Sequence, residues 1–324
     1  MLKIYANPMK RILSILSLLL FITACDDGNL TVDVVDFSAG AIQKCSLKDV
    51  YYKVQGSEMM FIEIPSTYFK PDQTLPGEPI EVELSNTIKV TYRRYASATS
   101  ANNICPTAPD ATPNLAEQWV ATTGTIQITS TAIKSTNSTD NSTRITGYTY
   151  NIVFKNITFQ KPSGPQGYET FIFGNYVNIV SALAFGFNHE FEKSACGTKI
   201  YDFYGGEVFT LDVADYATLF ANEVTTTPRT ALISATNKLS YRLYSGTITD
   251  AYFCATPTPL TPTLTQEWDA INGIEATSGI IEVTTTALLT GFQHTIRLKK
   301  VTLKMGNSDF SLGDDYLFGT LITN

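Results

Sequence analysis

The side chains able to do chemistry are few and scattered. Only two histidines exist in 324 residues, His189 and His294, and they occupy unrelated places along the chain. A histidine-based triad or a zinc site of several imidazoles therefore has little material. No Gly-rich phosphate loop, Gly-x-Ser-x-Gly elbow or His-Glu-x-x-His motif is present. Glycoside hydrolysis needs two carboxylates, and Glu58 with Glu207, and Glu63 with Asp212, stand at matching positions in the two halves of the sequence. Each falls between apolar residues of a predicted strand, where an outward, solvated carboxylate is expected. Beside tryptophan the acid is Glu117 in one half and Glu267 in the other, a shift of one residue that two active copies of one catalytic site would not tolerate. Asp309, Asp314 and Asp315 offer oxygen ligands, but their spacing does not fit a calcium-binding Asp-x-Asp-x-Asp-Gly loop. The sequence thus assigns no catalytic residue, no metal ligand and no cofactor.

Aromatic residues offer recognition instead. Trp119 and Trp268 are the only tryptophans, each just after a proline-rich loop in a polar context. Stacked on a sugar ring or a peptide, such a ring could be a binding platform. Alternatively each plugs the end of its own domain or packs on a disulfide. Arg93 with Tyr95, and Arg242 with Tyr244, lie at i and i+2 of a predicted strand, a spacing open to a cation-π pair on an exposed face or to a plain solvated face. These six residues are the candidate ligand contacts.

The elements that must position them repeat. Tyr92-Arg93-Arg94-Tyr95 recurs as Tyr241-Arg242-Leu243-Tyr244, and Cys105 with its Pro/Thr-rich loop recurs as Cys254 with another. Glu117-Gln118-Trp119 then matches Gln266-Glu267-Trp268, and Gly124 matches Gly273, all at one offset. Farther on, Phe154 to Phe159 resembles Leu298 to Leu303, and Phe171 to Gly174 resembles Tyr316 to Gly319. Alternation of apolar and polar residues at Ile80 to Leu84, Ile88 to Tyr92, Tyr148 to Phe154 and Thr295 to Leu303 marks half-buried strands. Clusters such as Pro71 to Pro79, Pro106 to Pro113 and Pro257 to Pro262 mark turns, and Leu115 to Val120 and Leu264 to Ile271, each after a Pro/Thr run and carrying the Trp, are expected to form a short turn or helix. The expected fold is all-β, with two tandem, homologous antiparallel β-sandwich or barrel-like domains, residues 32–178 and 179–324.

Composition bounds the rest. Hydrophobic residues at 44% suffice for packed cores, and a net charge of -7 offers no basic footprint for nucleic acid. Of the five cysteines, Cys45, Cys105, Cys196 and Cys254 fall two to a repeat at nearly equal separations. Four cysteines allow three pairings, of which only Cys45–Cys105 with Cys196–Cys254 treats the halves alike. Closing each loop of about 60 residues would stabilise a domain by roughly 4 kcal/mol on the chain-entropy account, and it requires an oxidising compartment.

The fifth cysteine stands in a processing signal. Lys3, Lys10 and Arg11 precede an apolar run, Ile12 to Ile22, that is shorter than the ~20 residues needed to cross a bilayer. Ile22-Thr23-Ala24-Cys25 resembles the lipobox of bacterial lipoproteins. That resemblance implies a signal peptide over 1–24, lipid on Cys25, and a tether over 25–31. Two or three acyl chains would anchor the protein to a membrane effectively permanently. Asp26-Asp27 resembles both an inner-membrane retention signal of enteric bacteria and a surface-export signal of Bacteroidota, and the Thr-, Asn- and aromatic-rich remainder favours the second.

Taken together, Cys-Asp-Asp-Gly, the Tyr-Arg-x-Tyr pattern, the Cys-Pro/Thr loop and the Glu-Trp segment resemble uncharacterised flavobacterial envelope lipoproteins. The resemblance implies an outer-membrane location, and its motifs identify a family without assigning an activity, so nothing catalytic carries over. The expectation is a non-enzymatic binding or structural module whose partner is a glycan or an envelope protein. The alternative is an envelope hydrolase working through strand or loop carboxylates.

Overall fold

Strands alternating inward and outward side chains fill both halves, and the protein is all-β. The computed structural model describes residues 35–37, 39–193, 199–255 and 257–324, without side chains at 191–193 and Cys254. The first half carries β1 (Gln43–Lys44), β2 (Val50–Gln55), β3 (Glu58–Glu63), β4 (Ile80–Glu83), β5 (Lys89–Tyr95), β6 (Leu115–Thr136), β7 (Thr143–Lys161) and β8 (Gly164–Ile179). The second carries β9 (Glu190–Lys193), β10 (Ile200–Tyr204), β11 (Glu207–Val213), β12 (Arg229–Leu232), β13 (Asn237–Tyr244) and β14 (Leu264–Ala270). It continues with β15 (Ile280–Ala287), β16 (Phe292–Lys299), β17 (Thr302–Met305), β18 (Ser308–Ser311) and β19 (Tyr316–Thr323).

Each half builds its own sheet, and the pairing order recurs. Among the described residues the first runs β1-β2-β3-β5-β6-β7-β8 with β4 on β6, and the second runs β12-β15-β16-β19-β9-β10-β11-β13-β14-β17-β18. The antiparallel run β2-β3-β5-β6 thus reappears as β10-β11-β13-β14, and β4 on β6 as β12 on β15. The long strands β6, β7 and β8 each correspond to two shorter ones. Register slips once between Arg94 and Tyr95 against β6, and once between the matched Leu243 and Tyr244 against β14.

The point where one long strand of the first half becomes two in the second is a matched glycine. A Cβ on Gly124 would lie 2.7 Å from Ile157 Cα, so the β6 backbone bends inward onto β7 where only glycine fits. At the matched Gly273 a Cβ would meet the Gly279 carbonyl at 2.4 Å. There the chain folds into a tight turn through Ile274 to Gly279 before β15 begins. The hairpins β2–β3 and β10–β11 turn through Gly56 and Gly205, at φ 60° and 58°, the left-handed conformation that two-residue hairpin loops require.

The core lies on the inward faces. Tyr148, Tyr150, Ile152 and Phe154 of β7 are buried at period two, and so are His294, Ile296 and Leu298 of β16. Burial of each large apolar side chain contributes about 1.5–3 kcal/mol. Cys45 and Cys105 are bonded, with Cα atoms 5.2 Å apart, and with Tyr52, Phe61, Tyr95 and Ile104 they form an apolar cluster. Cys196 lies outside the described residues, as does the side chain of Cys254.

The two sheets are bound to each other through the β17–β18 hairpin. Asp72 accepts hydrogen bonds from Asn307 N at 2.9 Å and Ser308 Oγ at 2.8 Å. Gln73 and Asn307 exchange side chain-to-backbone bonds, Lys134 pairs with Asp309 at 2.7 Å, and Asp314 N donates to Asp140 O at 2.8 Å. A Cβ on Gly306, at φ 59°, would displace the Asp72 carboxylate that binds the hairpin.

Candidate ligand-binding site

Where the two halves meet, a cavity of about 140 Å³ opens between them. Its walls come from β7 (Arg144, Tyr148), β14 (Gln266, Trp268), β17 (Met305) and β18 (Phe310), and the connecting chain at Val180, Ser181 and Leu183 closes one side. Trp268 is 4% exposed, with Phe310 edge-on at 5.0 Å and Nε1 donating to Gln266 Oε1 at 3.0 Å. One side of Trp268 lines this cavity.

The matched tryptophan is enclosed. Trp119 is 3% exposed, with Tyr92 at 4.3 Å and the Lys161 ammonium 4.8 Å from its ring centre. Its Nε1 donates to Glu117 at 2.8 Å, the same i−2 geometry as Trp268 with Gln266. The strand match aligns Lys161 with Met305, which lines the cavity. A cation thus covers the first tryptophan where a thioether and a void adjoin the second.

Arg144 is the charged member of the cavity. Its guanidinium lies 4.3 Å from the Phe185 ring centre and 5.5 Å from that of Phe310. Both recorded hydrogen bonds leave from Nη1, to Thr143 O at 2.7 Å and Ser311 O at 3.2 Å. Burial pulls its pKa down, opposed by Tyr316, Asp140 and Tyr241, yet an arginine stays charged in a protein. Sequence reasoning passed over this residue because it has no counterpart in the second half. The one available signal was its phase, since counting back at period two from Tyr148 puts a cation on the inward side of β7.

The remaining sequence candidates are placed as follows. Arg93 lies over the Phe61 ring at 5.1 Å and donates to Gln118 at 2.8 Å, while Tyr95, across the register slip, is buried with Cys45 and Ile104. Arg242 bonds Glu267 at 2.6 Å, and Tyr244 packs with Val208 and Ile248. None of these four lines the cavity.

The carboxylates are occupied structurally. The outward, solvated position expected for Glu207 is wrong: it is 7% exposed and accepts from the backbone N–H groups of Ala184, Phe185 and Gly186 at 3.0–3.1 Å, and from the Tyr241 hydroxyl. The reason is the connecting chain, whose consecutive donors need a buried acceptor. Half-buried Glu58 accepts from the matched Tyr92 at 2.7 Å. Asp309 pairs with Lys134 and Asp315 with Arg297 and Lys299, while Asp314 accepts from Asn141. Among the described residues no cluster of acids, histidines and cysteines could hold a metal.

Buried His294 bonds Thr285 at 2.8 Å and Thr323 at 2.9 Å, and burial lowers its pKa. His189 sits by Phe318 O through Nδ1 at 3.1 Å, with its backbone N–H on buried Asp202. Among the described residues no helix is long and apolar enough to cross a membrane. No family model, curated protein or solved structure matches the chain.

Proposed function

We propose that this chain is a lipid-anchored protein of the bacterial cell envelope, tethered through Cys25, that binds a small ligand or partner group without transforming it. The cavity between the halves carries this reading: it joins a tryptophan, a charged arginine and an amide on a largely apolar wall, the composition of binding sites generally. Binding is favoured over envelope hydrolysis because Glu58, Glu117, Glu207 and Glu267 each already hold a tyrosine, tryptophan, arginine or backbone partner. Cys25 lies outside the described residues, and the lipobox resemblance supports it.

Two measurements test the two parts. Radiolabelled palmitate should enter the wild-type protein and be lost in Cys25→Ala, and protease treatment of intact cells reports the membrane face. In Trp119→Phe, where Trp268 is the only tryptophan, toluene should change the emission, because a cavity near 150 Å³ admits a benzene-sized guest. Ser181→Phe at the exposed rim should block that change. An emission insensitive to toluene would remove the cavity as a binding site.

A further inference from the structure

The start of β7 and β18 hold only one corner of the Arg144 guanidinium. Nη1 makes both recorded hydrogen bonds, so Nη2 and Nε donate to no group among the described residues. Neither is among the side-chain nitrogens sealed from solvent without a partner. The open pair is the side-on fork of an arginine, whose two parallel N–H bonds match the two oxygens of a carboxylate. Phe185 and Phe310 lie beside the plane, fixing the fork's orientation at little entropic cost.

A second observation sets the body of the ligand. Most of the remaining wall is apolar, with Trp268, Met305, Phe310, Ile145 and Leu183 outweighing the polar atoms of Ser181 and Gln266, and the space is near the bulk of one aromatic ring. Arg144 makes no carboxylate ion pair among the described residues; Asp140 acts on it only through space, which leaves the fork open to an outside carboxylate. A phosphate or sulfate ester would bring more charge and polar surface than so apolar a wall can solvate.

We infer that the cavity takes a small monocarboxylate, with its apolar body against Trp268 and its carboxylate bound side-on by Arg144. This deepens the binding role proposed above and rests on it. Nη2 and Nε each donate one hydrogen bond to the carboxylate, Nη1 keeps Thr143 and Ser311, and no covalent step is involved.

Benzoate and its neutral methyl ester are the probes, with toluene as the control for the cavity itself, followed by ligand-observed NMR on the mature soluble protein. Wild type should bind benzoate at least tenfold more tightly than methyl benzoate. Arg144→Met should lose that preference and keep toluene within about twofold. If wild type binds methyl benzoate as well as benzoate, the inference fails, whatever the variant's fold. If toluene binds and benzoate does not, the cavity stands and the carboxylate assignment falls. If no probe binds, the binding role itself falls.

Discussion

Matched positions in the two halves keep a contact and change its partner. Glu58 and Glu207 both accept from a tyrosine on the next strand, Tyr92 and Tyr241. Only Glu207 also gathers three N–H groups of the connecting chain. Phe69 meets Tyr150 edge-on at 5.2 Å, and Phe220 meets His294 edge-on at 5.6 Å. Lys161 covers Trp119, whereas Met305 and a cavity adjoin Trp268. Similar β-patterns in the two halves thus keep the packing of a strand pair, while what lies across the junction decides what each matched side chain does.

The largest expected effect breaks the first half. Reducing Cys45–Cys105, or replacing Cys45 by Ser, releases a loop of 60 residues and should cost about 4 kcal/mol on the entropic account. Denaturant unfolding of oxidised and reduced protein measures it. Peptide mapping without reductant tests the pairing of Cys196 with Cys254, and finding either cysteine free would end the symmetry of the halves.

Next comes the carboxylate comparison. Glu207→Ala strands three backbone donors and a buried hydroxyl and should destabilise by about 3 kcal/mol, whereas Glu58→Ala loses one hydrogen bond and should cost about 1 kcal/mol. Equal losses in the unfolding midpoint would mean that the connecting chain contributes nothing to the second half's stability.

These residues show where the sequence was legible. Period-two alternation over Tyr148 to Phe154 marked β7 and its buried face, because a half-buried strand must alternate. The Tyr-Arg-x-Tyr matches located β5 and β13. The tryptophan segments, open in the sequence to a short turn or helix, are strands instead, the starts of β6 and β14, and the shared register slip carried no signal in the sequence. The inward turn of Glu207 was not legible, because its partners are backbone groups of Ala184 to Gly186, whose donors carry no residue code. Arg144 escaped for a related reason. Its neighbours Ser311 and Phe310 are remote in sequence and belong to the other half, and a search for matched positions finds only what both halves share.

The histidine contrast is testable through pH. Burial holds His294 below its ordinary 6.5, so the folded state favours the neutral ring. Its contribution is complete above pH 6.5 and is lost as pH falls through the depressed value, at up to about 1.4 kcal/mol per pH unit. The matched Tyr150, donating to Phe69 and Lys70 carbonyls, adds no such dependence. Urea midpoints between pH 8 and 5 should fall on the acid side in wild type and flatten in His294→Gln. An unchanged slope would place the acid sensitivity elsewhere.

The smallest effect concerns the rung beside each tryptophan. In the first half Arg93 faces Gln118 and Arg94 faces Glu117; in the second Arg242 faces Glu267 and Leu243 faces Gln266. The acid moves by one residue because the arginine able to pair with it does: Arg94 holds Glu117 at 2.6 Å and Arg242 holds Glu267 at 2.6 Å. Gln118→Glu with Glu117→Gln would copy the second pattern into the first half and give Arg93 the acid, leaving Arg94 opposite an amide. Such half-exposed pairs contribute about 0.2–1 kcal/mol, so the double variant should unfold within about 0.5 kcal/mol of wild type. Glu117→Gln alone should lose more, since Arg94 then faces no acid while Arg93 gains none. A double-mutant cycle by denaturant unfolding separates the cases, and a loss above 2 kcal/mol in the swapped variant would show that Glu117 does more than pair with Arg94 and accept from Trp119.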